Sequence, residues 1–206
     1  ASADYAGILA RPGAPDFIIC GDGEETLHEL LTKLQEGQAD LSTVAGLAFK
    51  TGTTVLRTPD RAPLDLTTIP FPYPDLTLFR DRILYYEASR GCPFQCAYCL
   101  SGWEKTKLRA MPLERVKADL LKFIKAGVRT VKLIDRTFNL ERDRALAILH
   151  FLLEQGGSTE FHFELVGELL DAELIRLLRA APPGRFRVEI GVQSTCAAAL
   201  TAVHRR

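Results

Sequence analysis

Apolar positions along this chain repeat with two alternating periods from residue 80 onward, and that alternation is its strongest structural signal. Residues 83–89 read as a strand. Positions 113, 116, 120, 121 and 124 are apolar at helical spacing, so 113–126 reads as a helix that Gly127 ends. Further strands are predicted at 128–135, 160–166 and 186–194, and helices at 141–154, 171–180 and 195–204. Asp171 is placed to cap the helix it precedes, and Pro182-Pro183 to stop it. Strand and helix alternating in this way predict a parallel sheet with helical crossovers. The fold class is α/β, with four βα units forming part of a barrel.

Before residue 80 the pattern differs. Residues 16–20 read as a short strand. The run Gly21-Asp22-Gly23-Glu24-Glu25-Thr26 reads as a turn into a helix carrying Leu27, Leu30, Leu31 and Leu34 on one side. Residues 47–50 and 54–56 form the arms of a predicted hairpin. Pro59, Pro63, Pro70, Pro72 and Pro74 are too dense for regular core structure, so 57–79 reads as a connector. The expected organisation is a small α/β region at 1–56, the connector at 57–79, and the partial barrel at 80–206. The chain starts without methionine and ends inside a predicted helix, so it is expected to be a piece of a longer protein.

Strand alternation sorts side chains between two faces. Val131 and Leu133, then Phe161, Phe163 and Leu165, then Val188, Ile190 and Val192 should face outward and pack against helices. Lys132 and Ile134, His162 and Glu164, and Glu189, Gly191 and Gln193 then line the inside, with Asp135 at the end of its strand. A closed barrel core is dominated by packed aliphatics. This polar lining suits a partial barrel that holds a polar ligand. Lys132 and Glu164, on adjacent strands, are also placed to form an internal ion pair.

Composition adds bounds rather than function. The chain has 206 residues, 47% hydrophobic and 25% charged, with 26 basic and 26 acidic side chains. That is enough for one sizeable domain or two small ones. Neutrality gives no support for a broad nucleic-acid or membrane surface. No apolar run matches a membrane span, and no secretory signal is visible, so a cytoplasmic protein is expected.

The chemistry is concentrated in Cys92, Cys96 and Cys99, three of the five cysteines, spaced C-x₃-C-x₂-C directly after the first barrel strand. The i, i+4, i+7 spacing would also suit one helical face, but Gly91 and Pro93 argue for a loop. Disulfide pairing is disfavoured because Cys20 and Cys196 are remote in sequence and read as small core residues. Structural zinc sites usually have four protein ligands, so a zinc reading needs a distant donor such as His28, His162 or Cys196. Iron–sulfur cubanes normally have four cysteines as well. Three thiolates leave one metal position open to a ligand that is not protein. Phe138 and Trp103 read as packing residues, and His162 as a hydrogen-bonded core residue.

The motif, with Tyr98 just before its last cysteine and Ser89-Arg90-Gly91-Cys92-Pro93 around its first, resembles the signature of the radical S-adenosylmethionine (SAM) superfamily. The resemblance implies a partial TIM-like barrel of the radical SAM type. Cys92, Cys96 and Cys99 fall on the ligands of a 4Fe-4S cluster, and Tyr98 on the aromatic packed beside cluster and SAM. Glu189, Gln193 and Ser194 match the fourth-strand segment that contacts the SAM ribose, though Gln193 and Ser194 also suit a helix cap. Asp135 falls near the Gly-Gly-Glu motif that holds the SAM amino group, where this chain reads Asp135-Arg136-Thr137. Inward-facing Glu164 joins the cofactor-binding candidates. The implied activity is reductive cleavage of SAM to a 5′-deoxyadenosyl radical, with a low-potential donor of the flavodoxin or ferredoxin type as partner. The Gly-Asp-Gly-Glu-Glu-Thr turn, the hairpin and the proline-rich link resemble the junction after a cobalamin-binding domain, and Arg136-Thr137-Phe138-Asn139 resembles an uncharacterised subgroup of those proteins. This points to a cobalamin-dependent methyltransferase, with cobalamin held by a region outside this sequence because it has no Asp-x-His-x-x-Gly motif. A radical SAM oxidoreductase or rearrangement enzyme without cobalamin, and a non-catalytic iron–sulfur or zinc module, are the alternatives.

Overall fold

The computed structural model describes residues 4–38, 40–103 and 106–205, with the backbone alone at 102–103. The side chain of Trp103, expected to pack, therefore lies outside the described residues. The chain divides into two compact units, Ala1–Thr68 and Ile69–Arg206.

The first unit is a three-stranded antiparallel sheet with two helices, α1 (Tyr5–Leu9) and α2 (Glu24–Gln35). Its strands β1 (Phe17–Ile19), β2 (Leu47–Thr51) and β3 (Thr54–Arg57) lie side by side in chain order. Alternation along β2 builds two small cores. Leu47 and Phe49 join Leu30, Leu41 and Val44, while Ala48 joins Leu9, Ile18 and Cys20. The α1 helix was not foreseen, because five residues are too few for a period to show. Of the leucines on α2, only Leu30 is buried; Leu27, Leu31 and Leu34 are 46%, 49% and 44% exposed. The Gly21-Asp22-Gly23 turn is tied down by Asp22, whose carboxylate accepts the Leu64 N–H at 2.8 Å.

The second unit holds the parallel sheet. Its strands β4 (Ile83–Tyr86), β7 (Thr130–Leu133), β8 (Glu160–Leu165) and β9 (Phe186–Ile190) are adjacent in that order and all parallel. Between β4 and β7 lie the two-residue strands β5 (Ser89–Arg90) and β6 (Arg109–Ala110), paired antiparallel, with α3 (Leu100–Trp103) between them. Helices α4 (Leu113–Ala126), α5 (Arg142–Glu154) and α6 (Ala172–Ala180) pack side by side. Beneath them, Leu84, Tyr86, Val131, Leu133, Phe161, Phe163 and Leu165 are buried. Local signals set the helix ends. Gly127 takes φ +68° as its N–H returns to Ile124 O. Asp171 accepts the N–H groups of Glu173 and Leu174 at 3.0 and 2.8 Å. The Arg185 guanidinium donates to the carbonyls of Leu152, Gly157 and Thr159 and closes the end of α5.

Three expectations need correction. Strands β4 and β9 stop at Tyr86 and Ile190, because the chain turns at each to begin a loop. Val188, Ile190 and Val192 are not buried beneath helices: they are 41%, 38% and 60% exposed. β9 is an edge strand, and the following helix, α7 (Ala197–Ala202), buries none of its residues. The proline-rich stretch is also more ordered than a bare connector. It contains two 3₁₀ turns, Leu66–Thr68 and Leu76–Phe79, and its Leu64 and Leu66 are buried. Within the second unit its Tyr73 hydroxyl donates to Tyr85 O and accepts from Tyr85 N–H, both at 2.8 Å, pairing the free edge of β4.

Phe123 on α4 is fully buried, with the rings of Phe71, Tyr73 and Tyr86 centred 5.2, 5.7 and 5.9 Å away. Phe123→Ala should destabilise the second unit by about 3–5 kcal/mol, read from equilibrium urea unfolding.

Candidate functional site

The three cysteines occupy an irregular loop that leaves the C-terminal end of the first parallel strand. In β/α barrels, that end of the sheet carries the active-site loops. The loop is held at its root. Ile134 N–H continues the β4–β7 ladder to Tyr86 O at 2.9 Å. One residue on, Asp135 accepts the Ala88 N–H at 2.7 Å with Oδ1 and the Ser89 hydroxyl at 2.6 Å with Oδ2. The Ala88 carbonyl takes Met111 N–H at 3.0 Å and Arg144 Nη2 at 3.2 Å. Arg90 returns to Glu87 through two guanidinium nitrogens.

Gly91 is required next. Its φ is +100°, and a Cβ there would sit 2.3 Å from Lys107 O. Cys92 follows, buried, with its N–H on Thr106 Oγ1 at 3.3 Å and its Sγ 3.9 Å from Thr137 Oγ1. Cys96 and Cys99 are half-buried and share a tight turn, Cys99 N–H to Cys96 O at 3.0 Å. All five cysteines are free thiols, and Cys20 is buried as expected. Cys196, expected in a core, is exposed, because it sits at the start of the short helix α7.

The segment after β7 reaches both the cysteine loop and the next strand. Thr137 faces Cys92, Phe138 N–H bonds Glu164 O at 3.0 Å, and the Phe138 ring lies 4.3 Å from that of Phe163. Asn139 pairs with both backbone groups of Val166, at 2.9 and 3.0 Å. Asp135, Thr137, Phe138 and Asn139 are all buried, whereas Arg136 is exposed. The anchoring roles of Thr137 and Asn139 were missed by sequence reasoning. Their signal is a polar side chain at the end of a strand, which sequence alone does not separate from an ordinary turn.

The other face of the sheet carries the anticipated polar lining. Lys132 Nζ stands 2.9 Å from Glu164 and 3.2 Å from Glu189, and His162 Nε2 lies 3.3 Å from Glu189. The expected Lys132–Glu164 pair therefore forms, within a four-residue network across three strands. Glu164, followed by Glu189, holds the Lys132 ammonium above its ordinary pKa.

The remaining candidates lie nearer the chain's end. Tyr98 is 49% exposed, and its hydroxyl accepts from Arg205 Nη1 at 2.8 Å. Arg205 also contacts Glu168 at 3.3 Å, and Ala97 N–H bonds Val203 O at 3.0 Å. Gln193 is exposed with φ +64°. Ser194 Oγ accepts the Cys196 N–H at 3.0 Å, a turn just ahead of α7. The structure brings Lys132, His162, Glu164 and Glu189 together and ties Asp135 to the cysteine loop. It does not bring Gln193 or Ser194 into that ionic network. His28 is exposed on α2, in the other unit.

Among the described residues, no three His, Cys, Asp or Glu side chains converge at the spacing of a single ion. A cubane makes a different demand, because each thiolate takes its own iron. Three free thiols on one irregular loop are a soft donor set that fits an iron–sulfur cluster. Among the described residues no helix is long and apolar enough to cross a membrane.

Comparison with known proteins agrees with this geometry. The family model described as Radical SAM superfamily matches residues 86–206. An uncharacterized methyltransferase of Pyrococcus horikoshii is 32% identical over 154 residues, covering 68% of this chain and 32% of the relative. The 2-(S-pantetheinyl)-carbapenam-3-carboxylate methyltransferase of Streptantibioticus cattleyicolor is 30% identical over 160 residues, covering 68% and 23%. The chain thus spans a third or less of these curated relatives. Among solved structures, the radical SAM methyltransferase TsrM of Kitasatospora setae, with cobalamin and a 4Fe-4S cluster bound, aligns with a TM-score of 0.70 at 20% identity. That alignment covers 90% of this chain and 39% of the other, and it shows the shared fold.

Two outcomes follow from the loop geometry. Gly91→Ala should strain the loop by about 1–3 kcal/mol, lowering the thermal midpoint and changing thiol reactivity at Cys92. Asp135 gives a pH signature. Burial pushes its carboxyl up to about 6, against the hydrogen bonds from Ser89 and Ala88 that pull it down. The folded state then holds this proton more tightly than the unfolded chain does. The group's contribution to stability falls as pH rises from about 4 to about 6, and levels off above that. Wild type should therefore lose up to about 3 kcal/mol relative to Asp135→Asn between pH 4 and 7, measured by urea unfolding at each pH.

Proposed function

The chain belongs to the radical SAM superfamily, and from that premise we propose that it is part of a methyltransferase that binds a 4Fe-4S cluster through Cys92, Cys96 and Cys99. The observation that carries this reading is the placement of three free thiols on the loop after the first strand of a parallel sheet. Once bound, the cluster and SAM supply the electron and the sulfonium for radical or methyl chemistry. The chain's own residues bind and orient. Cys92 is the buried ligand, while Cys96 and Cys99 close the loop at its half-exposed side. Gly91 lets the loop pass beneath Lys107 O. The polar face carrying Lys132, His162, Glu164 and Glu189 receives SAM, and Tyr98, Gln193 and Ser194 contribute at its rim.

Methyl transfer is supported by the names of two curated relatives, both methyltransferases; a third, 24% identical over 212 residues, is named a cyclase. The fold shared with a cobalamin-bound methyltransferase extends over nine-tenths of the chain. It supports reading 1–56 as the tail of a cobalamin-binding-type domain, 57–79 as a link, and 80–206 as the partial barrel. Cobalamin would then be held by sequence beyond this chain. A one-electron reductant is needed, and a flavodoxin or ferredoxin suits it. A cytoplasmic setting fits the free thiols.

Anaerobic reconstitution with iron and sulfide tests the ligand assignment. Wild type, Cys20→Ala and Cys196→Ala should each take up a full cluster with a cubane-type EPR signal on reduction. Cys92→Ala, Cys96→Ala and Cys99→Ala should each lose most of it. Full iron retention in any of those three variants would overturn the assignment.

A further inference from the structure

The segment after β7 and the polar face of the sheet carry an inference about how labour is divided between two acidic residues. It rests on the proposed cluster and SAM site and deepens it. We infer that Asp135 is a positioning residue for the cysteine loop, and that Glu164 is the carboxylate that takes the amino group of SAM.

Asp135 is 3% exposed, and each of its oxygens already accepts a hydrogen bond. Both donors, the Ala88 N–H and the Ser89 hydroxyl, belong to the root of the cysteine loop, with Ser89 three positions before Cys92. At 3% exposure this carboxylate lies under the root of the loop, so an ammonium could reach it only by opening that root, and the loop holding the thiols would then lose its anchor. Two residues on, Thr137 touches the Cys92 thiol, so the same turn braces the loop twice.

Glu164 offers what Asp135 does not. Its backbone carbonyl accepts the Phe138 N–H at 3.0 Å, which places it one residue from the Thr137–Cys92 contact. Its side chain lies on the polar face, 37% exposed, and its carboxylate is met by an ammonium already, Lys132 Nζ at 2.9 Å. Lys132 also reaches Glu189 at 3.2 Å. A ligand ammonium can therefore take Glu164 while Lys132 keeps Glu189, and no positive charge is left unpaired. Glu189 is less available, since one of its oxygens serves both Lys132 and His162.

The test compares Asp135→Asn, Ser89→Ala and Glu164→Gln with wild type, each reconstituted anaerobically. Iron and acid-labile sulfide report cluster content. Titrating SAM against the EPR signal of the reduced cluster reports affinity. Asp135→Asn should lose at least half of its iron, and Ser89→Ala a smaller part, while the loaded fraction keeps wild-type SAM affinity. Glu164→Gln should keep full iron but bind SAM roughly tenfold or more weakly, as expected for loss of a charge-assisted hydrogen bond. An analogue of SAM lacking the α-amino group should bind wild type and Glu164→Gln alike. The inference is overturned if Asp135→Asn and Ser89→Ala keep their iron, or if Asp135→Asn alone weakens SAM. It is equally overturned if Glu164→Gln binds SAM as wild type does. If SAM leaves the wild-type signal unmoved, the SAM site itself falls, which Glu164→Gln alone failing would not imply.

Discussion

The parallel sheet of the second unit is buried on one face only, and the rest of that unit follows from this constraint. Parallel sheets are usually covered on both faces. Here α4, α5 and α6 cover one face, and it is apolar from β4 through β8. The other face carries charges, which satisfy each other. Lys132 does this with one ammonium and two carboxylates, and His162 supports the second of them. Lower on the same face Arg187 meets Glu160 at 3.1 Å. Exposed pairs of this kind contribute little to stability. Their value is that they keep a charged surface open and ordered without a hydrophobic partner.

The same constraint explains what could be read from sequence. Period-two alternation was legible in β7 and β8 because one face is apolar and the other is not. The helices were legible from their period and their caps, and Gly127 and Asp171 act as those signals suggest. β9 alternates just as clearly, yet its apolar side chains are exposed. Periodicity reports which residues share a face, and burial depends on what lies against that face. The exposed leucines of α2 and the exposed Cys196 make the same point.

Within the candidate site, the cysteines were legible from spacing alone, because three soft donors in one short run have few other uses. Asp135 was legible as a polar residue at a strand end, but not as an anchor. Its partners Ala88 and Ser89 are 47 and 46 positions earlier in the chain, and only the β4–β7 register brings them together. Thr137 was hidden for the same reason, 45 positions from Cys92. A side chain's role at the C-terminal edge of a parallel sheet depends on its neighbour across the ladder. That neighbour lies a whole βα unit away in sequence.

The buried Asp135 carboxylate also shows why such an anchor suits an irregular loop that presents thiols. The loop that presents the thiols is irregular, so it forgoes the ladder hydrogen bonds that fix a strand. Something must replace them at the point of departure. A carboxylate accepts a backbone N–H with one oxygen and a hydroxyl with the other, and its charge strengthens both bonds. The penalty is desolvation of that charge, which is visible in the raised pKa of Asp135. The fold therefore accepts an electrostatic cost at the root of the loop, where rigidity is needed. It leaves Glu164, on the open face, able to exchange its partner while Glu189 holds Lys132 and His162.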